Sequence, residues 1–232
     1  NIVNESKNGN EQEKIMVNWE KKYKKYENKT QPRITDIKID MELYPEERNF
    51  VANGKYILKN KSNQAIDTLF IDYAEGTKIS FNTKNKLVSK DTVYNINIYR
   101  LEKSLQPGDS IQMSFVLKNK PNSLFENNSP VLYNGTFINN SIFPSIGYSA
   151  DSELTDDDVR KKYGLKPKDR MSKPTDSIAR KNTYISNDSD WVTFETTVST
   201  SGDQTAIAPG YLQKKWQKDG RNYFHYKMDK KM

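Results

Sequence analysis

The chain has 232 residues, with 37 Lys and Arg against 30 Asp and Glu, which gives a formal net charge of +7. It contains no cysteine, and this excludes disulfides and thiolate metal sites. The length fits one large all-β domain or two small ones, and 14 Tyr, 9 Phe and 3 Trp spread along the chain argue against wholesale disorder.

The start of the chain, 1–30, predicts a polar lead-in followed by a connector helix. The letters EQEKIMVNWEKKYKKYE place Ile15, Trp19, Tyr23 and Tyr26 on one helical face. The lysines beside them suit a membrane surface, but the acidic residues between them dilute the basic face. We therefore expect the helix to dock on the domain that follows.

The rest of the chain, 31–232, predicts an antiparallel β-sandwich. Apolar and polar residues alternate in short runs at regular spacing, and the runs are joined by turn sequences such as QPGDS. The pair Asp219–Gly220 predicts a two-residue hairpin turn. The predicted strands cover 33–43, 50–60, 65–72, 76–88, 91–101, 111–119, 130–138, 191–200, 205–209, 210–217 and 222–229.

The segment FPSIGYSADSELTDDDVRKKYGL breaks the strand pattern and leads into an insert over 150–190, for which we predict a short helix and a polar loop. Thr155 fits the N-cap with Asp158 as its capping-box partner, and Gly164 fits the left-handed position after the last turn. Capping explains the run DDD better than a cation site does, because successive helical residues point in different directions. We expect a solvated helix.

The letters FPSIGYS at the start of this break predict a rigid, low-profile loop. Its backbone can approach a ligand closely at Gly147, so the loop is a candidate wall of a cleft. An ordinary crossing between two sheets explains the same letters, and both interpretations stay open at this point.

The sequence supplies no catalytic set. His225 is the one histidine, and Phe224 and Tyr226 on either side of it predict a surface position on a strand. A zinc site would need unusual ligands, and neither a nucleophile elbow nor a phosphate-binding glycine loop is found. Lysine and asparagine are abundant everywhere without a basic cluster, so we predict no nucleic-acid partner and keep nucleic-acid binding as a third hypothesis.

The order of the strands resembles the N-terminal β-domain of the aminopeptidase-N-like (gluzincin) zinc metallopeptidases. RITDIKIDMELYPEERNFVANGKYILKNKSNQAIDTLFID resembles its opening, through Ile37–Leu43, Gly54–Leu58 and Ile66–Ile71. LQPGDSIQMSFVLKN and WVTFETTVSTSGDQTAIAPG resemble later strands, and KDGRNYFHYKMDKKM resembles the final hairpin. NGTFINNSIFPSIGYSADSELTDDDVRKKYGL is similar to membrane-embedded bacterial members fused to ABC-transporter permease segments.

This resemblance implies a saddle-like β-sandwich that is itself not catalytic. In the family the zinc-binding His-Glu-x-x-His sequence belongs to the next domain, so we expect no cofactor in this chain and zinc in a catalytic domain after it. The chain would brace that domain and form part of a peptide cleft, with the domain and a peptide as its partners. The parent would be membrane-anchored, with this domain on the extracytoplasmic (periplasmic) side; its aminopeptidase activity is left open.

The resemblance also implies which residues face the cleft: Ser145, Gly147, Tyr148 and Glu153. Soluble members carry a Gln or Glu in this region that grips the free amine of the substrate. No Thr-Gln pair stands here, and Glu153 is the nearest acid. The alternative function is a free-standing extracytoplasmic binding module for carbohydrate or protein that uses exposed aromatic residues such as Trp216 and Tyr211.

Overall fold

The computed structural model describes residues 8–119, 129–168, 173–177 and 188–232. Its helices are α1 (Gly9–Tyr23) and α2 (Asp157–Lys162). Its strands are β1 (Arg33–Tyr44), β2 (Asn49–Lys59), β3 (Ile66–Asp72), β4 (Thr77–Phe81), β5 (Asn85–Asp91), β6 (Ile96–Leu105), β7 (Ser110–Asn119), β8 (Ser145–Ile146), β9 (Ser189–Ser201), β10 (Tyr211–Lys218) and β11 (Arg221–Lys227).

The strands form two packed sheets, and the predicted all-β sandwich is confirmed. The larger sheet has the order β10-β11-β9-β1-β2-β7-β4, and the smaller one has the order β5-β6-β3-β8. One pairing differs from the antiparallel prediction, because β1 and β9 run parallel. The sequence pattern of a half-buried strand is the same for either direction, so local alternation could not distinguish them.

The core lies between the sheets and follows the predicted alternation. In β7, the inward residues Ile111, Met113, Phe115 and Leu117 are all buried. They pack with inward residues of the smaller sheet such as Leu69. Burial of these large side chains on one face of each strand is the main favourable contribution to the fold.

Helix α1 forms a third layer on the outer face of the smaller sheet. Its N-cap is Asn8, which shares a capping box with Glu11. Trp19 and Tyr23 of α1 pack with Phe70 of β3 in a buried aromatic cluster, so the predicted docking of this helix is confirmed. The boundary at residue 30 between lead-in and sandwich stays a prediction, and lead-in residues 1–7 lie outside the described residues.

Four predicted elements differ from the structure. The predicted strand 76–88 is divided between β4 and β5, because the chain changes sheets at Asn82, whose backbone and side chain both bond to Gln112. The predicted strand 91–101 starts later, because the Asp91 carboxylate accepts two backbone hydrogen bonds in a turn before β6. Neither 130–138 nor 205–209 forms a strand, since no described strand pairs with either segment.

The turn and cap residues predicted from the sequence agree with the structure in part. Asp219 and Gly220 both have positive φ, 49° and 74°, as the predicted hairpin turn requires. Gly164 has φ +69° at the predicted end of α2. The N-cap of α2 was predicted wrongly: Asp156, not Thr155, accepts the backbone hydrogen bonds of the first turn. Most of the predicted polar loop after α2 lies outside the described residues.

Gly54 provides a test of the side-chain packing between the neighbouring strands β2 and β7. A Cβ added to Gly54 in β2 would lie 2.0 Å from the Phe115 ring. We expect Gly54→Ala to lower the free energy of unfolding by about 1–3 kcal/mol in urea titrations, because the ring must leave its buried position. Gly9→Ala is the matched control, since nothing lies within 4 Å of that Cβ position. Equal effects of the two substitutions would contradict this packing.

Candidate functional site

The loop that breaks the strand pattern lies at the edge of the smaller sheet. Ser145 belongs to β8 and pairs with Asp72 of β3. Gly147 follows with φ +94°, and its backbone N–H donates to the carbonyl of Phe70 at 2.8 Å. A Cβ at Gly147 would contact the side chain of Gln31 at 3.4 Å, so the loop lies closely against the lead-in to β1.

Tyr148 extends from this loop into the aromatic cluster under α1. Its ring centroid lies 4.7 Å from that of Trp19. Its hydroxyl donates a hydrogen bond to Glu153 Oε1. Burial, together with this hydrogen bond to a carboxylate, raises the pKa of Tyr148. Tyr148 is therefore a neutral hydrogen-bond donor inside the molecule.

Glu153 is a buried carboxylate whose charge is compensated within the chain. It is 1% exposed, and Lys24 Nζ donates to its Oε1 at 2.8 Å. Lys168 Nζ lies 3.8 Å from Oε2. Burial would raise the pKa of Glu153, but the hydrogen bonds from Lys24 and Tyr148 outweigh it and lower the pKa. The ionised form is thus stabilised despite its burial.

The four residues predicted to face a cleft fall in one region beneath α1. Tyr148 and Glu153 contact each other and hold the end of α1, while Ser145 and Gly147 form the adjoining sheet edge. In this chain their contacts fix the position of the N-terminal helix. That they also line a substrate cleft stays a prediction.

A buried ion pair that the sequence reasoning missed joins α2 to α1. Arg160 donates from Nη1 to Glu20 Oε2 at 2.9 Å and from Nη2 to Glu20 Oε1 at 2.8 Å. It also donates to the backbone carbonyls of Leu154 and Lys166. The hydrogen bonds to Glu20 are the main reason that the pKa of Arg160 is raised. The expectation of a solvated α2 holds for most of the helix but is wrong at Arg160, which is 3% exposed.

A second charged contact holds α1 against the turn between β5 and β6. Lys22 and Tyr23 both donate to Asp91 Oδ2, while Asp91 Oδ1 accepts the backbone N–H groups of Val93 and Tyr94. Burial would raise the pKa of Asp91, but these hydrogen bonds outweigh it and lower the pKa to about 2. One carboxylate thereby orders the turn and positions the helix.

The Arg160–Glu20 pair generates a stability prediction. We expect Arg160→Met to lower the free energy of unfolding by about 3–5 kcal/mol, because it leaves a buried carboxylate without its partner. Replacing Glu20 as well, by Met, should recover part of this loss, since no uncompensated charge then stays buried. Urea unfolding of both variants measures the difference.

Lys38→Met is the control for this experiment, because Lys38 forms an ion pair with Glu195 while its side chain is 53% exposed. Removing that pair should change stability by less than about 1 kcal/mol. A loss at Arg160 no larger than the loss at Lys38 would contradict a structural role for the buried pair.

The contact at Asp91 generates a pH prediction. The pKa of Asp91 is lowered from 3.8 to about 2, so its stabilising effect is present above pH 4 and is lost as the pH falls from about 4 to 2. Asp91→Asn should therefore be less stable than the wild type at pH 6. This difference in the free energy of unfolding should disappear as the pH falls from about 4 to 2. Burial raises the pKa of Asp72 to about 6. Because Asp72 is present in both proteins, its titration does not change the difference in stability between them. A difference in stability that does not change with pH would contradict this role of the Asp91 carboxylate.

An open apolar groove lies elsewhere, on the inner face of the larger sheet. Its volume is about 1080 Å³. Its floor consists of β1 and β9 side chains, including Met41 and Val198, and its walls are the segments 133–138 and 204–209. Phe137 and Ile207, one on each wall, are 84% and 86% exposed. None of the described lining residues is charged, in a chain of which 29% is charged.

Several polar side chains of the groove are satisfied by the protein itself. Thr196 Oγ1 donates to the carbonyl of Ile39 at 2.7 Å, and Thr200 Oγ1 donates to Gln204 Oε1 at 2.9 Å. Gln204 Nε2 donates to the carbonyl of Tyr133 at 3.1 Å and so connects the two walls. These polar groups bond within the protein and shape the groove. The surface that remains available to a ligand is therefore mainly apolar.

No metal centre emerges from the described residues, among which no group of three or more His, Asp or Glu side chains could hold an ion. The three aspartates before and within α2 serve its first turn, where Asp156 is the cap. His225 lies on the outer face of β11, with Nε2 3.1 Å from Glu195 Oε1. Zinc therefore has no fitting ligand set in this part of the protein.

The aromatic residues of the alternative binding hypothesis both lie on β10. Trp216 is half-buried and stacks on Tyr223, with centroids 5.2 Å apart and planes 13° apart, so one ring face is occupied. Tyr211 is 64% exposed. Carbohydrate or protein binding at these residues stays a prediction.

Within the described ranges, neither helix combines the length and the apolar character that crossing a bilayer would need.

The sequence matches no protein-family model and no curated protein. Similar solved structures include an M1 zinc metallopeptidase from Deinococcus radiodurans, with 13% identity and a TM-score of 0.46 over 85% of this chain and 39% of that one. A mutant M1 zinc metallopeptidase from the same organism bound to a Tyr-Ser-Ala substrate gives 13% identity and a TM-score of 0.47, with the same coverage.

A two-domain M1 zinc metallopeptidase mutant bound to L-tryptophan gives 13% identity and a TM-score of 0.49, over 88% of this chain and 40% of that one. The chain thus spans about two fifths of the length of these solved structures.

Proposed function

We propose that the chain is the non-catalytic N-terminal β-domain of a membrane-anchored, zinc-metallopeptidase-like bacterial protein. It braces a catalytic domain that follows it and contributes one wall of a peptide cleft. The extracytoplasmic location and the ABC-transporter permease segments of the parent belong to the same proposal. In such an enzyme, zinc bound by the following domain supplies the polarisation of the scissile carbonyl.

The segments that carry the family resemblance support this proposal through their positions. Ile37–Leu43, Gly54–Leu58 and Ile66–Ile71 lie within β1, β2 and β3 in that order. The closing hairpin occupies β10 and β11, as the resemblance implies. All three segments at the start of the domain that the resemblance treats as strands are thus strands here.

The observation that carries the proposal is an exposed tryptophan beside the end of the described chain. Trp191 in β9 is 69% exposed. The next residue, Val192, exchanges two backbone hydrogen bonds of 3.0 Å with Met232. In the resembling family the catalytic domain follows this hairpin, so Trp191 lies where that domain would join. Tryptophan combines a large apolar surface with one hydrogen-bond donor, so this exposed side chain is suited to contact a following domain.

The activity test uses the 232-residue chain as it stands. We expect it to hydrolyse no aminoacyl substrate and to hold no stoichiometric zinc after dialysis, because the described residues lack a ligand set. Aminoacyl-anilide assays and elemental analysis measure these two properties. One tightly held zinc per chain, or zinc-dependent hydrolysis by this chain, would overturn the proposal.

The bracing role is tested by Trp191→Gln in two contexts. In the longer protein that contains this chain, the substitution should lower the melting temperature of the following domain, because it removes a contact between domains. In the 232-residue chain it should change stability little, since the side chain is exposed. Val93→Gln is the control, being 76% exposed and remote in the turn before β6. Equal shifts for Trp191→Gln in both contexts would contradict a docking role.

A further inference from the structure

The two walls of the apolar groove share a property that links them to the sequence. The walls, 133–138 and 204–209, coincide for the most part with two segments for which the sequence predicts strands, 130–138 and 205–209, but which form none. Each has the residue pattern of a strand and pairs through its backbone with no described strand. A β-strand is stable only with a neighbour that accepts and donates its backbone hydrogen bonds. Both walls therefore lack such a neighbour.

The hydrogen bonds of the wall 204–209 show which of its backbone groups are already used. The carbonyl of Gln204 accepts from Asn222 Nδ2 at 2.9 Å, and that of Ala206 accepts from Tyr226 Oη at 2.9 Å. Both donors belong to β11. In an extended segment the polar groups of successive residues alternate in direction, which directs Thr205 and Ile207 away from β11. These are the groups that a new strand would meet.

The chemistry of the groove limits what can enter it. No described lining residue is charged, and the floor residues Ile39, Met41 and Val198 are apolar. A charged side chain in the groove would lose its hydration without a partner. This argues against edge strand β10 of a second copy, because Lys214 and Lys215 point to opposite faces of that strand and one of them would enter the groove whichever face β10 presented.

From these observations we propose that the groove binds an extended, uncharged, apolar polypeptide segment by strand addition. The backbone of the segment pairs with Thr205 and Ile207, and its alternate side chains lie on Met41 and Val198. The bridge from Gln204 to Tyr133 holds the two walls in place before the segment arrives. This site is separate from Trp191 and from zinc chemistry, so it stands or falls independently of the proposed function.

The test uses a blocked hexapeptide of alternating threonine and valine as the probe. We expect saturable binding, measured by calorimetry, together with slower amide hydrogen exchange at Thr205 and Ile207. The same peptide N-methylated at its valines keeps the side chains but loses backbone donors, so it should bind at least about tenfold more weakly. Octyl glucoside supplies an uncharged alkyl chain without amides, and it should not compete with the peptide.

Substitutions in the two walls of the groove, compared with one outside it, test the site itself. Ile207→Lys and Phe137→Lys place a charge at the groove on side chains that are 86% and 84% exposed, so folding should be unaffected. Each should weaken binding of the hexapeptide by about tenfold or more. Val93→Lys changes an equally exposed apolar residue away from the groove and should bind like the wild type.

Three results would overturn the proposal. The first is the absence of saturable binding of the hexapeptide to the folded wild type. The second is equal binding of the N-methylated peptide, which would mean that the backbone does not pair. The third is displacement of the peptide by octyl glucoside, which would assign the groove to alkyl chains.

Discussion

The position of β1 between an antiparallel and a parallel neighbour determines much of this structure. β2 follows β1 directly through a short turn, whereas β9 pairs with β1 in the same direction. Parallel neighbours cannot be joined by a hairpin, so the chain must travel back before β9 can form. That return path contains the smaller sheet and α2. The hairpin β10–β11 then extends the larger sheet beyond β9, where loops form the walls of the groove.

A separate set of charged contacts determines how α1 lies on this framework. Glu20, Lys22 and Lys24 each reach a different part of the chain: α2, the turn after β5, and Glu153. Aromatic packing of Trp19 supplies the apolar contact, but apolar surfaces alone permit several orientations. Hydrogen-bonded charges have strict geometry, so they favour one register of the helix on the sheet.

Much of this fold is encoded in short stretches of sequence. Alternation in β7 and the Asp219–Gly220 turn were readable because each depends on residues close together. Two of the failures involve partners distant in sequence. The strand predicted at 205–209 does not form, because a strand also needs a neighbour to pair with. The buried charge of Arg160 depends on Glu20, 140 residues away, and α2 by itself has the composition of a solvated helix.

The separation between Glu20 and Arg160 has a consequence for how the chain is made. During synthesis α1 leaves the ribosome before α2, and the arginine that neutralises its buried glutamate emerges 140 residues after that glutamate. Until then the contacts that hold the Trp19 face of the helix are incomplete. Contacts between residues so far apart in sequence form slowly during folding. Helix α1 is thus translated well before α2, and it completes its contacts only after α2 has been made.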